Sequence, residues 1–60
     1  MSTPEEIIQM FEDIDSNAEE LSEYEEATVN DLRHWFDTHG QTLTTRQDDL
    51  LETIWDRVTS

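Results

Sequence analysis

The sequence predicts an all-α fold, a small three-helix bundle whose two C-terminal helices form an antiparallel hairpin with the first helix packed against them. Three observations predict it. Apolar residues recur at spacings of three and four in three separate stretches, each introduced by a residue able to cap a helix. No window of strand length alternates apolar and polar residues strictly enough to compete. With Pro4 and Gly40 as the sole proline and glycine, few hairpin turns can be built.

The first helix is expected over about 4–22. Thr3 is the cap, Pro4 occupies the first helical position, and Glu6 completes a capping box near the positive end of the helix dipole. Ile7, Phe11 and Ile14 form an apolar stripe with Ile8 and Met10 beside it, and Ala18 and Leu21 prolong the spacing. Asp15-Ser16-Asn17 is the natural place for a break. Residues 23–27 read as an acidic connector, because they are nearly all charge. Thr28, acting with Asp31, is expected to cap a second helix over about 29–39, with Val29, Leu32, Trp35 and Phe36 on its apolar side. Gly40 ends it. Thr44 and Gln47 form another capping box and open a third helix over about 45–58, striped by Leu50, Leu51, Ile54, Trp55 and Val58. Trp35, Phe36 and Trp55 are core candidates first and binding residues second.

Sixty residues make at most one domain with a modest core, and without cysteine there is neither a disulfide nor a thiolate metal site to reinforce it. A partner or a homodimer is therefore expected. No apolar run approaches the roughly 20 residues that span a bilayer, and MSTPEEII places acids where a signal peptide carries bases. These features predict a soluble, intracellular chain, located in the cytoplasm, or in the host cytoplasm if it is phage-encoded.

Sixteen acids oppose three arginines and no lysine, a formal net charge of -13. Such a surface repels nucleic acid and anionic membranes, so direct binding to either is excluded and a basic protein surface becomes the expected partner. The charge is uneven. Residues 1–26 carry ten acids and no base, whereas 27–60 carry six acids and all three arginines. Uniform adaptation to high salt, the alternative reading of an acidic, lysine-free composition, would spread the acids more evenly.

The stretch from Asp13 onward begins like a calcium loop, with Asp15 and Asn17 at positions three and five. It then departs from one: position six is Ala18 rather than glycine, and position twelve is Tyr24 rather than glutamate. Read instead as one continuous helix, it lines up Glu12, Asp15 or Ser16, Glu19, Glu23 and Glu26 at successive Cβ separations of about 5 to 6 Å, similar to the spacing of phosphates along a strand. The candidate partner-binding residues are accordingly Glu12, Asp13, Asp15, Glu19, Glu20, Glu23, Glu25 and Glu26. An aromatic face of Tyr24, Trp35 and Trp55 is the alternative docking surface. No cofactor and no catalytic residue are expected. His34 and His39 are five apart, on different sides of a helix, and neither a nucleophile elbow nor a glycine-rich phosphate cradle is present.

Leu43-Thr44-Thr45-Arg46-Gln47 followed by Leu50, Leu51, Ile54, Trp55 and Arg57 resembles the LTxxQxxxLxxIxxR helix of small helical segments in phage-type replication and recombination accessory proteins. The resemblance covers residues 43–57 and implies a non-catalytic module near nucleic-acid enzymes. In composition the whole chain is similar to the small acidic inhibitors of phages and mobile elements that imitate nucleic acid. That likeness implies a module that blocks or regulates a basic nucleic-acid-processing protein.

Overall fold

Thr3, Ser22 and Thr44 each stand in extended backbone immediately before a helix. Each accepts a hydrogen bond from the backbone N–H three residues on, while the Glu6, Glu25 or Gln47 side chain reaches back to the cap's own N–H. Three reciprocal capping boxes thus satisfy the N–H groups that helix starts leave without intrahelical partners. In the computed structural model, which describes residues 2–60, they open α1 (Pro4–Ser16), α2 (Glu23–Thr38) and α3 (Thr45–Thr59). A single 3₁₀ turn, Ala18–Glu20, lies between α1 and α2, and no strand occurs among the described residues.

Two expected boundaries require correction. The first helix ends at Ser16 rather than near residue 22. Asn17 Nδ2 donates to the Asp13 carbonyl at 2.9 Å, and the chain tightens into the 3₁₀ turn. Ala18 is therefore exposed and Leu21, in extended backbone, is half-buried against the core. Residues 23–27 are not a connector but the opening of α2, which Ser22 caps instead of Thr28 with Asp31. Thr28 sits inside the helix, where its hydroxyl donates to the Tyr24 carbonyl. The acidic row on one unbroken helix is consequently replaced by acids on the end of α1, the 3₁₀ turn and the start of α2. Gly40 does stop α2. It adopts φ 68°, the left-handed conformation glycine takes without penalty, and Gln41 follows at φ 60° so that its N–H reaches the Phe36 carbonyl at 2.8 Å.

Long-range contacts set the topology. Ser2, before α1, bonds Asp48 in the first turn of α3, and Asp13 near the end of α1 bonds Trp55 near the end of α3, so these helices run parallel. Arg57 at the end of α3 grips Glu25 at the start of α2, which makes α2 and α3 antiparallel. The closest backbone packing is between α1 and α3, and α2 also packs on α3.

The core that holds them comprises Ile7, Met10, Phe11, Ile14, Val29, Leu32, Phe36, Leu43, Leu51, Ile54 and Val58, with Trp35 and Trp55 packed at its margin. Phe11 and Phe36 meet edge to face at 5.8 Å between centroids. Ile8 and Leu50, expected along the stripes, lie on the flanks and are exposed. No helix is long and apolar enough to cross a membrane.

Candidate functional site: an acidic end and an acidic groove

The end of the bundle where α1 finishes and α2 begins carries all eight acids of the 12–26 stretch. Five of them, Glu12, Glu19, Glu20, Glu23 and Glu26, are exposed, and their carboxylates make no hydrogen bond or ion pair among the described residues. The other three are engaged internally. Asp13 accepts from Trp55 Nε1 at 2.9 Å and from Gln9 Nε2 at 3.0 Å. Asp15 takes both terminal nitrogens of Arg33, at 2.8 and 3.1 Å. Glu25 serves as the α2 capping residue and also receives Arg57, whose Nε lies 2.7 Å from Oε2 and whose Nη2 reaches the Glu20 carbonyl at 2.7 Å.

These engagements tie the end to all three helices. Arg33 joins α1 to α2, its guanidinium lying 5.1 Å from the centre of the Phe11 ring, and the Asp15 partner raises its pKa above the ordinary arginine value. Arg33 Nε is buried there without a hydrogen-bond partner. Arg57 joins α3 to α2 and to the 3₁₀ turn. The bonds from Arg57, and after them the one from the Ser22 N–H, hold the Glu25 carboxyl below the usual glutamate range.

A lowered folded-state pKa means that this contribution to stability is complete above the unfolded glutamate value and is lost as pH falls through the folded one. Comparison of the urea midpoints of the native chain and Glu25→Gln should therefore show an advantage for the native chain at neutral pH. The advantage should vanish in acid, even though protonating the many free acids relieves repulsion in both proteins. A difference that persists unchanged at acidic pH would contradict the charge-assisted role of Glu25.

A second acidic feature escaped the sequence reading. Between α1 and α3 lies an open groove of ≈ 230 Å³ bordered by Ser2, Glu6, Met10, Glu52 and Trp55. It adjoins a wider hollow of ≈ 450 Å³ along α3, bordered by Asp49, Glu52, Thr53, Trp55 and Asp56. Trp55 and Glu52 belong to both. Asp49, Glu52 and Asp56 fall at i, i+3 and i+7 on α3, so their side chains share one side of that helix. The sole sequence-level signal was that spacing, and its significance depends on α1 lying alongside α3.

The aromatic residues are placed apart. Tyr24 is 74% exposed in the first turn of α2. Trp35 stacks on His39 with ring centroids 3.8 Å apart and planes 3° from parallel, while Trp55 borders the α1–α3 groove. His34 is exposed. Asp13, Asp15 and Asn17, which opened the calcium-loop pattern, are occupied by Trp55, Arg33 and the Asp13 carbonyl respectively. Among the described residues no group of three or more histidines or acids is arranged to hold a metal ion.

By architecture and surface, the molecule is a small three-helix bundle with an ordered acidic end. No known family matches the chain, and no curated protein or solved structure matches it either.

Proposed function

We propose that this chain is a non-catalytic binding module whose acidic end occupies a cationic surface on a nucleic-acid-processing protein, in the manner of a phosphate backbone, and so blocks or regulates it. The observation that carries the reading is the set Glu12, Glu19, Glu20, Glu23 and Glu26, exposed and uncompensated on a scaffold fixed by the Ser22 capping box and by Arg33 and Arg57. Carboxylates carried on helical backbone bind without the backbone ordering cost that a disordered acidic tail would carry. They also steer a basic partner to rapid encounter, with affinity that falls as salt rises.

The test immobilises the native chain and a variant carrying Glu12→Gln, Glu19→Gln, Glu20→Gln, Glu23→Gln and Glu26→Gln, and challenges both with a cell lysate. The native chain should retain nucleic-acid-binding proteins that elute with salt and are displaced by duplex DNA. The variant should lose them while keeping or gaining helix, because like charges three or four apart destabilise a helix by a few tenths of a kcal/mol per pair. Equal retention by both chains, or failure of duplex DNA to compete, removes the proposal.

The exposure of Tyr24 favours a second reading, docking through an aromatic contact. In that case Tyr24→Ala would abolish retention and salt would scarcely affect it.

A further inference from the structure

We infer that the side of the bundle formed by α2 and α3 is a self-association surface, on which a second copy of the chain docks about a twofold axis with Leu50 near the axis and Arg46 of each copy against Tyr24 of the other. The inference stands apart from the acidic-end reading, because it uses none of the five free acids there.

The side is defined by helix periodicity and by the arginine contacts. Tyr24, Asp31 and Trp35 fall at i, i+7 and i+11 on α2, and Arg46, Leu50 and Arg57 at i, i+4 and i+11 on α3, so each trio shares one stripe of its helix. Arg57 reaches Glu25, which turns the α3 stripe toward α2. Arg33 faces α1 through Asp15, and Trp35, two residues on, lies on the opposite flank of α2.

Charge singles this side out. Of the sixteen acids and three arginines of the chain it takes Asp31, Glu25, Arg46 and Arg57 and is neutral, so the remainder, Arg33 included, holds the whole formal charge of -13. The α1–α3 groove carries Glu6 and Glu52 with no arginine, and the hollow beside the 3₁₀ turn sets Arg33 against Asp15 and Glu26. Two copies of so acidic a chain repel one another wherever acids face acids. Here they do not.

The same side holds unpartnered apolar surface and an unpartnered cation. Tyr24 is 74% exposed and Leu50 38%, with the half-buried Trp35 between them in sequence. Arg46 is exposed and, unlike Arg33 and Arg57, makes no hydrogen bond or ion pair among the described residues. Arg46 lies in the first turn of α3 and Tyr24 in the first turn of α2, and because these helices are antiparallel the two residues mark opposite ends of the side. A twofold axis normal to it therefore lays each Arg46 on the Tyr24 ring of the other copy, a guanidinium over an aromatic face made twice.

The area suffices. A stable interface removes about 800 Å² from each partner, roughly a fifth of the 4132 Å² that the chain exposes. A domain with so modest a core gains stability from a contact made only by the folded state.

Sedimentation of the native chain over a dilution series should show monomer passing to dimer. Added salt should favour the dimer, by screening the repulsion between two chains of -13. That is the reverse of the salt response of the acidic end, so the two readings fail separately. Leu50→Glu and Arg46→Glu should each weaken the dimer at least about tenfold. Both residues are exposed, so helix content by circular dichroism should remain that of the native monomer. Glu52→Gln, in the α1–α3 groove, should dimerise at least as tightly as the native chain.

A native chain that stays monomeric at every concentration and salt level overturns the inference, as does a dimer that neither Leu50→Glu nor Arg46→Glu weakens. A dimer sensitive to Leu50→Glu alone overturns the pairing of Arg46 with Tyr24. None of these results bears on the retention of basic proteins by the acidic end.

Discussion

Leu51→Ala is expected to remove most of the stability of the chain and leave a substantial unfolded fraction at 25 °C. Leu51 is 0% exposed on α3 and is, with Ile14, the most fully buried side chain among the described residues. Truncating such a leucine costs about 3 to 4 kcal/mol, through lost transfer free energy and the cavity left behind. A core of this size supplies a net stability of only about 3 to 5 kcal/mol, and there is no disulfide to supplement it. Leu50→Ala, one residue earlier and exposed, is the control and should cost less than about 1 kcal/mol. Far-ultraviolet circular dichroism during urea titration separates the two. Similar midpoints for both variants would show that the packing of α3 differs from that described here.

Asp48→Ala is expected to be the most damaging polar substitution, at about 2 kcal/mol. Asp48 is the buried charged residue of the molecule among those described, and its two oxygens accept from the Ser2 backbone N–H at 2.7 Å and the Ser2 hydroxyl at 2.9 Å. Its position in the first turn of α3, near the positive end of the helix dipole, offsets part of the cost of burying a carboxylate in so acidic a chain. Removing it leaves two donors at the α1–α3 seam without their acceptor. The half-buried Ser2 can recover some hydration, which keeps the loss near the middle of the usual range. A double-mutant cycle with Ser2→Ala should give a coupling energy of about 1 kcal/mol. Ser2→Ala keeps the backbone N–H, so the cycle reads the hydroxyl bond, and if the two substitutions add without coupling that bond contributes nothing to the fold.

Local chemistry was legible where it was self-contained. The Thr3 and Thr44 boxes, the apolar stripes of α1 and α3, and the glycine stop all depend on residues within a few positions of one another, and the structure has each of them. The α2 start was equally local, because Ser22 and Glu25 spell a capping box. The run of glutamates around it suggested a solvated connector instead. In the folded chain the like-charge penalty is outweighed by the cap and by Arg57, 32 residues away from Glu25.

Distance in sequence hid the rest. Ser2 with Asp48 and Asp13 with Trp55 are 46 and 42 positions apart, and nothing in the spacing of either residue announces its partner. The groove was invisible for the same reason. Glu6 and Glu52 become neighbours only because α2 returns the chain so that α1 and α3 run side by side. A charge census by halves pointed to the acidic end and passed over acids that the fold gathers from both halves.

The parallel pairing of α1 and α3 has a kinetic consequence. The tightest seam joins the segments farthest apart along the polypeptide, so closing it requires an early loss of loop entropy that a simple nearest-neighbour hairpin would avoid. The first helix gains its main packing surface only when α3 arrives, and the domain should form and melt as one cooperative unit, with no half-assembled species of lasting population.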